Sequence, residues 1–206
     1  MKNFIAILFA GGCLLCIACG HAASSTTPSQ NDSVSTPMDS AKDTFFPVAN
    51  YLESEILHID STPLALMKYT SQGTRRDSGY IQVPEFNLLA KQFLVPELIN
   101  GSFEKDFAES SFMDKTTESI TFTYAPRNGD PSLKRLDVLA EPGTTSNKVK
   151  SIYLERSFTT GDTLVRQRLY WKAGRNFQIV NTYLVHDKPP IEQQVKVVWD
   201  TGEEAE

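Results

Sequence analysis

Residues 149–186 read VKSIYLERSFTTGDTLVRQRLYWKAGRNFQIVNTYLVH. Apolar and polar side chains alternate through this stretch, with turn residues at Gly161-Asp162 and Ala173-Gly174. That pattern predicts half-buried strands over Val149–Thr159, Thr163–Trp171 and Asn176–His186. Turn length then decides which side chains share a face. A turn of two or four residues at Gly161-Asp162 sets Ile152, Leu154 and Phe158 beside Val165, Leu169 and Trp171, whereas three residues would set Leu154 against Arg166. At Ala173-Gly174 the opposite holds. A three-residue loop, Lys172-Ala173-Gly174, keeps Leu169 and Trp171 with Phe177 and Ile179, and Gly174 suits the left-handed position of such a loop.

The core face therefore holds Ile152, Leu154, Phe158, Val165, Leu169, Trp171, Phe177, Ile179 and Tyr183, joined by Ile191, Val195, Val197 and Trp199. Each large apolar side chain buried there contributes about 1.5–3 kcal/mol. The opposite face carries Tyr153, Glu155, Ser157, Arg166, Arg168, Tyr170, Gln178 and Thr182. A two-residue turn pairs Tyr153 with Tyr170 and Glu155 with Arg168. This is a solvated face held by cross-strand pairs, or a binding surface formed by Tyr153, Glu155, Arg166, Arg168 and Tyr170.

Working outward, the same period of two runs from Glu118 through Ile120, Phe122 and Tyr124, then over Leu133–Ala140 and Ile191–Trp199, with Asn128-Gly129-Asp130 as a turn. The connections are short, so neighbours are antiparallel. Upstream, Leu64–Thr70 and Arg76–Val83 form a hairpin around Gln72-Gly73. Pro47–Ile59 has a helical stripe of Val48, Leu52, Ile56 and Ile59, with Glu53 and Glu55 off it. Pro84 opens a second helix whose Phe86, Leu89, Ala90, Phe93 and Leu94 share a face, ending near Pro96. Ser102–Phe112 is read as a third short helix, because Phe103 and Phe107 lie one turn apart. The expected fold is α+β: two or three helices packed on a curved antiparallel sheet of six to eight strands, ending in a β-meander, with a half-barrel as an extreme.

The chain has 206 residues, a formal charge of −5 and 40% hydrophobic residues. Thr44–Asp200 is long enough for one domain with a substantial core. The acidic balance argues against a nucleic-acid partner. The 24 residues Gly20–Asp43 hold six Ser, three Thr and two Pro with no aromatic residue, too little apolar area to offset chain entropy. They read as a disordered tether, and residues 201–206 as a frayed acidic tail.

At the start, Lys2 precedes 15 uncharged, apolar residues, Phe4–Ala18. That run is short of the roughly 20 residues a bilayer span needs and fits a signal peptide. It ends Cys16-Ile17-Ala18-Cys19-Gly20, which resembles the bacterial lipobox, with Cys16 departing from the usual Leu. The resemblance implies a leader over residues 1–18 and a lipidated Cys19 that anchors the chain in a membrane. Cys16, preceded by Leu15, and Cys13 fit less well. Gly20 after the cysteine resembles the pattern of lipoproteins sent to an outer membrane, which implies an envelope location facing the periplasm. The chain as a whole resembles envelope lipoproteins of the kind common in Bacteroidota. No cysteine follows Cys19, so the domain forms no disulfide.

Motifs for catalysis are sparse. The three histidines are His21, His58 and His186. His58 suits a helix C-terminus, and two separated histidines do not make a three-histidine zinc site. There is no HExxH spacing, no Gly-x-Ser-x-Gly elbow and no phosphate loop ending in Lys-Ser or Lys-Thr. No residue is assigned as catalytic, and neither a metal nor a cofactor is expected. The expectation is a non-enzymatic envelope lipoprotein that binds or assembles with an envelope protein. Alternatives are a carrier holding a lipid or other apolar ligand between sheet and helices and, further off, a hydrolase using His58, His186 or paired carboxylates.

Overall fold

The computed structural model describes residues 45–143 and 147–199. The expected leader, lipidated Cys19, tether and acidic tail lie outside the described residues. The chain order is α1 (Val48–Ser61), a hairpin of β1 (Met67–Gln72) and β2 (Arg75–Tyr80), α2 (Val83–Ala90) running into a 3-10 turn (Lys91–Phe93), and the single turns α3 (Pro96–Ile99) and α4 (Phe103–Asp106). Seven strands follow: β3 (Phe107–Asp114), β4 (Ser119–Pro126), β5 (Leu133–Glu141), β6 (Lys148–Thr160), β7 (Thr163–Lys172), β8 (Asn176–Val185) and β9 (Ile191–Val198). The fold is α+β with an antiparallel sheet, as expected.

All nine strands form one open sheet in the order β2-β1-β9-β8-β7-β6-β5-β4-β3. Nine exceeds the expected six to eight, and β2 and β3 remain as edges, so the sheet is not closed. The extra strand is β3. The segment read as a third helix makes only one helical turn, α4, and then pairs with β4 from Phe107↔Pro126 to Asp114↔Ser119. Phe103 and Phe107 do meet, with ring centroids 4.7 Å apart, but across the junction of a turn and a strand.

The topology explains why the helices cover one face. The chain leaves β2 at one edge and must begin β3 at the other. Eight steps of about 4.8 Å separate them, about 38 Å across the sheet. The crossing runs through Val83–Asp106, which lays α2, the 3-10 turn, α3 and α4 over the inner face.

Register follows the turns. Thr160 pairs with Thr163, so Gly161-Asp162 is a two-residue loop. Gly161 has φ +61°, as the first central position of a type II′ turn requires. Lys172 pairs with Asn176, so the next loop is Ala173-Gly174-Arg175, one residue later than expected. Its odd length preserves the faces, and Gly174 takes the left-handed conformation at φ +66°. Trp171, Phe177, Ile152 and Val197 consequently lie in one fully buried row. Against that row pack Leu52, Ile56 and Ile59 of α1 and Phe86, Ala90 and Phe93 of the α2 region. Five rings, Phe86, Phe93, Trp171, Phe177 and Trp199, meet at centroid distances of 5.2–5.9 Å. A second ring group joins Phe45, Phe103, Phe107 and Tyr124 at the β3–β4 side. There burial, with Glu109 beside it, raises the Tyr124 phenol well above its ordinary range, and its hydroxyl accepts the Phe46 N–H at 3.1 Å.

Candidate functional site

The inner face changes character along its strands. Two apolar rows lie under the helices: Ile152–Trp171–Phe177–Val197 and Leu154–Leu169–Ile179–Val195. The third row is polar, Arg156–Gln167–Asn181–Gln193, and the fourth is apolar again, Phe158–Val165–Tyr183–Ile191. The helices do not reach the far end of the fourth row, where Ile191 is 49% exposed. A groove of about 380 Å³ opens there, lined by Arg156, Phe158, Val165, Gln167, Asn181 and Tyr183, by Gln92 from the helical crossing and by Thr160 and Thr163 at the β6–β7 turn.

Hydrogen bonds fix the polar row. Gln167 is buried, at 3% exposure. Its Oε1 accepts Arg156 Nε–H at 2.7 Å, and its Nε2 donates to Asn181 Oδ1 at 2.7 Å and to Gln92 Oε1 at 3.0 Å. Gln92 comes from the 3-10 turn after α2, so this amide pair ties the helical crossing to the sheet. Tyr183 Oη–H donates to Gln193 Oε1 at 3.3 Å.

Arg156 is half-buried, with its guanidinium carbon 4.8 Å from the centroid of the Phe158 ring, within the range of a cation–π contact. Burial lowers the Arg156 pKa, and the nearby Glu97 charge opposes that. Burial pushes the Glu97 carboxyl up, but the Leu133 N–H, bound to its Oε1 at 2.9 Å, and the Arg156 charge help hold it below the ordinary range. Only Nε of the guanidinium has a hydrogen-bond acceptor among the described residues. The groove thus offers one partly screened cation, amides, hydroxyls and aromatic faces: groups that recognise a ligand.

The structure also brings together the five residues singled out on the opposite face. Tyr153 pairs with Tyr170, Glu155 with Arg168 and Ser157 with Arg166. The Arg168 ion pair does not follow that register. It reaches diagonally to Glu192, 3.2 Å away, while Glu155 accepts the Tyr153 hydroxyl at 3.5 Å. Burial and the Glu155 charge raise the Tyr153 phenol. Arg135 grips Asp137 at 2.8 and 3.0 Å. Arg168 and Arg135 are thus ion-paired on an open surface, while Arg166 and Glu155 have no ion pair among the described residues.

Neither domain histidine joins the groove. His58 lies in the last turn of α1, and His186 is 94% exposed beside Asp187 in the β8–β9 turn. Among the described residues no group of three His, Cys, Asp or Glu side chains could hold a metal, and no helix is long and apolar enough to cross a membrane. Glu55, read as lying off the helical stripe, instead accepts from Trp171 Nε1 and the Gly174 N–H, both at 3.4 Å, and staples α1 to the β7–β8 turn.

Sequence reasoning missed the groove because only the apolar members of the inner face were collected. The signal was present in the spacing. Arg156 lies between Leu154 and Phe158, Gln167 between Val165 and Leu169, and Asn181 between Ile179 and Tyr183. Strand parity puts all three on the core side.

These features define an α+β protein with an open nine-stranded sheet, helices on one face and an arginine-centred groove at that face's end. Compared with family models, curated proteins and solved structures, the chain matches none.

Proposed function

We propose that this chain is a lipid-anchored envelope protein, held at the outer membrane through Cys19, whose domain binds a partner protein without transforming it. The observation that carries the binding reading is the groove: an inner sheet face covered at one end and open at the other, with aromatic rings, amides and one arginine in the open part. Arginine and tyrosine are enriched where proteins meet, and charge is otherwise depleted at interface centres. The lipobox-like leader supports the anchor. The five rings between α2 and the sheet favour surface recognition over carriage of an apolar ligand inside, because they occupy the space such a ligand would need.

A photo-crosslinking side chain placed at Thr160, in the groove lining, is expected to capture a discrete partner in cells. The same group at Tyr170, on the opposite face, is expected not to. Capture from Tyr170 alone would move the binding surface to the outer face. Capture from neither position, with an unaltered envelope proteome after deletion, would overturn the protein-binding reading.

A further inference from the structure

The chemistry of the groove restricts what binds there. Among its nine lining residues the one formal charge is Arg156. Its Nε is committed to Gln167, and its terminal nitrogens have no acceptor among the described residues. A guanidinium presents paired donors in a fixed fork that matches a carboxylate. The charge is partly offset by Glu97, which lies outside the groove lining and is itself held by the Leu133 N–H. One partly compensated cation suits one negative charge. A dianionic phosphate would call for further cations, and the lining supplies no lysine and no second arginine. Next to the guanidinium lie Phe158, Val165 and Tyr183, an apolar wall continuing toward exposed Ile191. Gln92, Gln167 and Asn181 are already bonded to each other, so they form a fixed floor.

We propose that the groove binds an extended segment of the partner protein in which a carboxylate lies next to a large apolar side chain, the carboxylate pairing with Arg156 and the apolar group resting on Phe158, Val165 and Tyr183. This rests on the recognition reading above and specifies its ligand. Bidentate pairing supplies orientation as well as attraction, and the apolar wall supplies the area removed from water.

The side-chain amides of Gln92, Gln167 and Asn181 are built-in reporters. In nitrogen–proton correlation spectra of the purified full-length protein, acetyl-Asp-Leu-amide is expected to shift these three signals. Acetyl-Asn-Leu-amide, the same shape without the charge, is expected to bind about tenfold more weakly or worse, since a charged hydrogen-bonded pair separates them. Arg156→Lys keeps a positive charge but loses the fork, and is expected to weaken the acidic peptide. Thr160→Trp obstructs the groove while leaving the Arg156 network in place, and is expected to abolish the shifts. Tyr170→Ala, on the other face, is expected to leave them unchanged. Equal binding of the two peptides, or undiminished binding to the Thr160→Trp protein, would overturn the assignment. If neither peptide shifts the amides although crosslinking from Thr160 captures a partner, this ligand chemistry fails and the recognition reading stands. If both experiments fail, both readings fall.

Discussion

Gln167 holds the groove floor together. It sits on the inner face between Val165 and Leu169, where an apolar side chain would continue the core. Its three hydrogen bonds reach β6, β8 and the turn after α2. Gln167→Leu preserves volume but leaves Arg156 Nε, Gln92 and Asn181 without their partner. Removing one member of a buried polar set costs about 1–3 kcal/mol, and water at the groove end would soften that toward the lower figure. Urea unfolding is expected to show a lower midpoint with an unchanged slope. A neutral or stabilising result would mean that the polar row is incidental to the fold. The residue-level reading of the sequence succeeded where a side chain's type agreed with its face, as for Trp171 and Phe177. It failed at Arg156, Gln167 and Asn181, where a polar side chain occupies a core-side position and only strand parity betrays it.

At the scale of elements, what was legible depended on whether burial imposed a period. Strand β7 buries alternate residues and β5, β6 and β8 do so over part of their length, and the bounds of all four lie within one residue of the sequence reading. The edge strands lack that imprint. All six residues of β2 are exposed, and β3 has exposed residues on both faces, including Phe112. A strand without a buried face carries no alternation, so the Phe103–Phe107 spacing dominated the reading of β3. Helix α2 shows the converse. Its buried Phe86 and Ala90, followed by Phe93, face the ring cluster, while Leu88 is 72% exposed. Phe93 touches Trp171 at 5.2 Å edge to face and Phe177 at 5.4 Å. Phe93→Ala is therefore expected to cost about 3–5 kcal/mol. Leu88→Ala, which removes a similar apolar side chain from the same helical region, is expected to stay within about 0.5 kcal/mol. Comparable losses at the two sites in thermal or urea unfolding would mean that α2 does not pack on the sheet through this face.

For the whole molecule, the proposed function rests on two parts whose physics is separate. The domain is held by an inner face packed under a helical crossing. The proposed attachment would depend on Cys19, outside the described residues, and on lipid burial, at about 0.8 kcal/mol per methylene, with more than one chain needed for stable anchoring. Cys19→Ser removes the proposed acceptor of the lipid while leaving every described residue of the domain untouched. The variant is expected to appear in the aqueous fraction after alkaline washing of membranes, with unfolding behaviour equal to wild type and with peptide binding at the groove retained. Crosslinking from Thr160 is expected to fall sharply, because the tether no longer concentrates the domain near a membrane-bound partner. Retention of the variant in the membrane with its leader uncut would show an uncleaved apolar anchor in place of a lipid. Release with crosslinking undiminished would place the partner free in the surrounding compartment, and the anchor would then serve to hold the complex at the membrane and not to bring its two components together.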